Sequence, residues 1–207
     1  PGDDKTEFKV FDFCQNLEYF SQPLLPADGS NGASLSERIF TARLELIQAF
    51  DAVGSGGHAH AADRAEIADV LRIAIASMNE GNFLVRPHLQ LVEQFRSADA
   101  WTTVSVGDLA SLAERVAKLP TQLEPEHEDA KRFDVLMLNT QLGVLRGQPY
   151  DRQRRTIIQI AGLLEDQQTI PAIAAELALI QEVQHDEWWV DVSYSMLEQV
   201  RRRLHGF

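Results

Sequence analysis

From Ser34 onward, apolar residues recur at intervals of three and four, the spacing that lines one side of an α-helix. Ser34 with Glu37 makes a capping-box pattern ahead of Ile39, Ala42, Leu46, Ala49 and Val53, which share a face. Gly54 to His60 interrupts the pattern as a loop, after which Ile67, Val70, Leu71, Ala74 and Met78 resume it. A shorter third helix is expected around Leu89 to Phe95, following Pro87, because proline suits a first turn better than an interior. Ser105 with Asp108 begins a fourth, with Leu109, Leu112, Ala113 and Val116 on its inner face. Pro120 to Pro125 is the internal boundary. Beyond it, a fifth helix from Glu126 to Arg146 is apolar nearly all round between Val135 and Leu145, as a central, buried helix is, and Gly147 ends it. A sixth carries Ile157, Ile160, Ala161 and Leu164, and a seventh starts at Thr169-Ile-Pro171 and runs through Ile173, Leu177 and Ile180. The eighth starts at Ser195 with Glu198 and keeps Leu197, Val200 and Leu204 together. No internal repeat at a fixed period emerges, so a solenoid is not expected.

The first 33 residues follow another rule. Glu7 to Phe13 has the apolar and aromatic character of a strand, NLEYFS looks helical before Pro23, and Pro23 to Ala33 reads as a linker. A strand with no partner is not stable alone, so this piece is expected to finish a preceding domain. The prediction is an all-α fold of about eight helices with a short strand-like N-terminal segment. Residues 1–33 form the tail of the preceding domain, and 34–119 and 126–207 are two helical halves packed as one.

Composition narrows the function. With 207 residues and 44% hydrophobic content, the chain can bury roughly 70% of its unfolded surface, so neither disulfides nor metal are needed for a core. A net charge of −12 argues against a dedicated nucleic-acid module, which needs a basic face to release counterions from phosphate. The single cysteine, Cys14, cannot pair internally; among Phe11, Phe13 and Leu17 it reads as a buried, inert thiol of a reducing compartment. There is no leader peptide or membrane-length apolar run, and the chain starts at Pro1, so a cytoplasmic piece of a longer protein is expected.

Motifs of known chemistry fit poorly. No Gly-Lys dipeptide occurs, so a phosphate loop of the GxxxxGK[ST] type is absent. Asp186-Glu187-Trp188-Trp189 resembles a DExx box in letters only, because it continues a helix rather than ending a buried strand. Asp129-Ala-Lys131 matches half of a nuclease metal signature but sits in a charged helix start. Glu124 with His127 and Glu182 with His185 have the Glu-x-x-His spacing of di-iron bundles, yet Pro125 breaks the first pair and no two further inward Glu residues stand out. His58, His60 and Asp63 are possible zinc ligands in a loop that preorganises nothing. Two arginine clusters remain: Arg146, Arg152, Arg154 and Arg155, and then Arg201, Arg202 and Arg203. Each can touch DNA phosphates or an acidic partner; the plainer reading is a solvated face, and for the second cluster a complement to its helix dipole. Trp188 and Trp189 cannot share a helix face, so one is expected in the core and the other near the surface.

Two stretches carry a family resemblance: VFDFCQNLEYF (Val10 to Phe20), and the helical run RFDVLMLNTQLGVLRG followed by IPAIAAELALIQEVQHDEWWVDVSYSMLEQVRRRL. Together they resemble the C-terminal helical region of the motor (R) subunit of type I restriction-modification enzymes. That family places a nuclease domain and two RecA-like ATPase lobes upstream and sets this region toward the methyltransferase. The resemblance implies a docking and coupling role, with no catalytic, cofactor or metal residues in this piece. ATP and magnesium would belong to the missing motor and nuclease domains. The implied partners are the methyltransferase and specificity subunits, with DNA met indirectly. A DNA-guiding helical module using the arginine clusters and a metal-binding helical enzyme are the competing classes.

Overall fold

The computed structural model describes residues 32–53 and 60–207. The expected strand at Glu7 to Phe13, the NLEYFS helix, Cys14, most of the linker and His58 lie outside them. From Ser34 the chain is one compact unit. It is all-α: among the described residues there are nine α-helices, three short 3-10 turns and no strand. The helices are α1 (Leu35–Val53), α2 (Ala61–Ala76), α3 (Leu89–Arg96), α4 (Val106–Arg115), α5 (Glu128–Arg146), α6 (Asp151–Glu165), α7 (Pro171–Ala175), α8 (Leu177–Gln184) and α9 (Tyr194–Leu204).

Local chemistry accounts for many of the ends. The Ser34 hydroxyl accepts from the Glu37 amide at 3.2 Å, and Ser105 and Asp108 close a full capping box at the head of α4. Gly147 ends α5 with φ 62°, a left-handed conformation that glycine adopts without strain. Two expectations need correction. The predicted seventh helix is two, because the backbone leaves helical geometry at Glu176. The last helix is capped by Ser193, whose hydroxyl accepts from the Met196 amide at 3.3 Å, and not by Ser195. Glu198 is thereby freed from capping and turns inward, where it is 8% exposed.

α5 is the spine. Val135, Leu138 and Leu142 enter a core built with α1 to α4, while Met137 enters a second core built with α6 to α9. The contact of α1 with α5 is the most extensive between any two helices. Leu46 and Ile47 of α1 are completely buried there, each contributing about 1.5–3 kcal/mol relative to an exposed position.

The second half repeats the order of helices of the first, without a fixed period. Helices α1 and α5 have 19 residues each, α2 and α6 have 16 and 15, α3 and α8 have 8 each, and α4 and α9 have 10 and 11. The same junction follows α3 and α8. One extended residue (Ser97, His185) leads into a four-residue 3-10 turn, and its terminal tryptophan donates an indole N–H back to a helix carbonyl. Trp101 bonds Phe95 O at 2.9 Å and Trp189 bonds Val183 O at 2.8 Å. A serine cap, Ser105 or Ser193, then opens the final helix of each half. An arginine in the first turn of the second helix meets that tryptophan in both halves: Arg64 donates to Trp101 O at 2.9 Å, and Arg154 lies 5.6 Å over the Trp189 ring. The two halves meet along α1 and α5, and the boundary expected at Pro120 to Pro125 falls between them.

Candidate functional site

The densest polar chemistry lies inside, where α9 meets α5, α1 and α2. Glu198, Arg201, Arg202 and His205 are spaced three, four and seven apart, so α9 presents them as one stripe. Asp134 and Gln141, seven apart on α5, face them and are 1% and 0% exposed. Arg201 forks onto Glu198, with Nε to Oε2 at 2.8 Å and Nη2 to Oε1 at 2.7 Å. Its Nη1 reaches both oxygens of Asp134, at 3.0 and 3.1 Å. Asp134 also receives Arg43 of α1 at 3.5 Å and lies 2.9 Å from His205 Nδ1. Arg202 donates from Nε to Glu198 at 2.9 Å and pairs with Glu66 of α2. Gln141 Nε2 donates to Glu198 Oε2 at 2.8 Å, leaving its own Oε1 buried without a partner. Three carboxylates (Asp134, Glu198, Glu66) thus balance three guanidiniums (Arg43, Arg201, Arg202).

Pairing offsets the cost of burying these charges. Burial by itself pushes the Glu198 carboxyl up, but the hydrogen bonds and charge of Arg201, then Arg202 and Gln141, outweigh it and hold it at about 2. Arg201 is likewise desolvated, and its bonds to Glu198 and Asp134 raise it above the usual guanidinium value. Burial dominates at Arg43, which is lowered, with Arg201 adding repulsion against the pull of Asp134. Tyr194 is driven upward by burial and by the nearby Glu198 and Asp63 charges, so its phenol stays neutral. A cavity of about 30 Å³, enough for roughly one water, is lined by Arg43, Tyr194, Glu198 and Arg201 together with Leu138 and Ile67. It lies beside an open groove of about 330 Å³ between α2 and α9, which Glu66, Glu198 and Arg202 also line.

Comparison of the two halves says what the charges are for. Superposing Trp101 on Trp189 and Ser105 on Ser193 along the sequence puts Glu198, Arg201, Arg202 and His205 opposite Ala110, Ala113, Glu114 and Ala117. Superposing α1 on α5 puts Asp134 opposite Thr41. The first half therefore has alanine at three of these positions, an exposed Glu114 at the fourth and Thr41 in place of the buried aspartate. Since burying ions costs several kcal/mol of desolvation apiece, a charged stripe on α9 with no matching stripe on α4 is an addition to the fold rather than a condition of it.

The arginines singled out from sequence are mostly spent internally. Arg201, Arg202 and Arg203 pair with Asp134 and Glu198, with Glu66 and Glu198, and with Glu176 respectively. Arg146 bonds Glu45 of α1 at 2.7 Å, and Arg154 pairs with Asp186. Arg152 and Arg155 are exposed and make no ion pair among the described residues. Both Glu-x-x-His pairs lie on the surface, as does Asp129, which pairs with Arg132. His60 stacks on Phe50 and has Nδ1 3.2 Å from Asp63. Trp189 is buried and Trp188 half-buried, packed edge to face. Among the described residues, no three His, Cys, Asp or Glu side chains are grouped to hold a metal, and no helix is long and apolar enough to cross a membrane. No family model, curated protein or solved structure matches the chain.

Sequence reasoning missed Asp134, Arg43 and Gln141 and took Glu198 for a cap. One signal was available: a lone aspartate inside an otherwise apolar helix must find a cation, and the Glu198–Arg201–Arg202–His205 stripe offers two.

Proposed function

We propose that this chain is a helical assembly and coupling domain, of the kind that in a type I restriction R subunit docks the DNA-translocating motor and nuclease on the methyltransferase core. The observation that carries this reading is the charged junction. It ties α9 to α1, α2 and α5 with bonds made inside the domain, and it serves rigidity rather than turnover. A rigid body is what coupling requires, because a docking element transmits a displacement only if it does not deform. The neutralised arginines weigh against the DNA-guiding alternative, which retains only Arg152 and Arg155 as uncommitted cations among those proposed. Deleting residues 34–207 from the intact subunit tests the proposal. The expected result is loss of assembly with the methyltransferase and specificity subunits and loss of ATP-dependent cleavage. A truncated subunit that assembles and cleaves as before contradicts it.

A further inference from the structure

The 3-10 turn after α8 differs from its counterpart after α3 in ways that the fold does not require. Aligned on the shared tryptophan and the serine cap, residues 186–193 read DEWWVDVS and residues 98–105 read ADAWTTVS. Each turn buries one indole and closes through the same backbone bond, Thr102 N to Asp99 O and Val190 N to Glu187 O, both at 3.2 Å. On that common frame Trp188 stands opposite Ala100, Val190 opposite Thr102, and Asp191 opposite Thr103. Trp188 is thus a second ring, half-buried against Trp189, and Val190 is 78% exposed. Alanine and threonine suffice to build the turn in the first half, so the added apolar surface of the second serves something other than folding.

The turn holds these side chains in one arrangement. The Trp188 amide donates to His185 O at 3.2 Å, the Trp189 indole is anchored on Val183 O, and Arg154 lies over the Trp189 ring while pairing with Asp186. Asp186 is spent in that pair. Glu187 and Asp191, by contrast, are exposed and make no ion pair among the described residues. Side chains three apart eclipse in a 3-10 turn, which sets Glu187 on the same edge as Val190, and Asp191 follows Val190 directly. A prearranged tryptophan loses little freedom on binding, and tryptophan is among the residues that dominate the centres of protein interfaces. Two uncommitted carboxylates beside it repel nucleic acid and anionic membrane and are complementary to lysine or arginine.

We infer that the Trp188–Val190 turn is a docking knob for an apolar pocket rimmed by lysine or arginine on a partner protein. The inference rests on the assembly reading and names a surface that assembly uses.

The test titrates the full chain with a purified methyltransferase–specificity complex of its own system. Trp188→Ala with Val190→Thr installs the residues that the first half carries in the same turn, and is expected to weaken binding about tenfold or more. Val190→Thr alone, at an exposed position where folding is not at stake, should give part of that loss. Glu187→Lys with Asp191→Lys is expected to weaken binding at about 50 mM salt and to lose most of the difference at about 500 mM, where exposed charges are screened. Glu114→Lys with Glu124→Lys makes the same charge change at exposed carboxylates elsewhere that also lack an ion pair, and should leave binding nearly unchanged. Undiminished binding by either pair of substitutions in the turn overturns the inference, as does an equal loss in the Glu114 and Glu124 pair. In those cases the wild type still binds, so the assembly reading stands and only this surface falls. A wild type that does not bind the complex overturns both.

Discussion

Asp134 is the residue on which the charged junction turns. Its carboxylate is almost completely buried, accepts from Arg201 and Arg43 and faces His205, so removing its charge leaves Arg43 without its carboxylate partner and Arg201 with Glu198 alone. Asp134→Asn is expected to destabilise the domain by about 3 kcal/mol or more, measured by urea unfolding. A loss below about 1 kcal/mol would mean that solvent reaches the site. Glu198 makes the junction pH-dependent, with a sign that follows from its depressed carboxyl. A group held at about 2 when folded, against an ordinary value of 4.5, contributes stability at neutral pH, and that contribution is lost as the pH falls from about 5 through 2. Glu198→Gln should therefore be less stable than wild type at pH 7 and show a flatter decline below pH 5, the two curves converging near pH 2.

At the scale of elements, the start and stop signals are the strongest test of why these helices form where they do. Ser105→Ala removes one side of a reciprocal cap and is expected to cost about 1 kcal/mol in thermal unfolding. The sequence pattern made most of the helices legible, because their buried faces recur at helical spacing and their ends are marked by Ser, Pro and Gly. Two things were less legible. Serines stand at 193 and 195 around the start of the last helix, and only three-dimensional packing decides which one caps it. The repeat escaped because its period is not fixed: six residues separate α1 from His60, the residue before α2, whereas three separate α5 from Tyr150, the residue before α6. There Tyr150 crosses Gly143 so closely that a Cβ would sit 3.2 Å from its own. Equivalent helices are thus offset by 93 residues for α1 and α5, 90 for α2 and α6, and 88 for the last two pairs, so no single period runs through the chain.

For the whole molecule, duplication and asymmetry belong together. Two copies of one helical arrangement share α5 as the wall between their cores, so the described body is expected to resist local opening along α5, with the slowest hydrogen exchange there and along α1. The asymmetry is chemical: α5 and α9 of the second half carry the buried carboxylates Asp134 and Glu198, which Arg43 of the first half helps to pair. A body braced by shared helices and buried ion pairs is what the proposed adaptor role calls for. The most direct measurement of that claim is the mass, by light scattering after gel filtration, of the 23.2 kDa chain mixed with a purified methyltransferase–specificity complex of its own system. The account predicts co-elution and a mass raised by that of the chain. Separate peaks at the masses of the free components would contradict it.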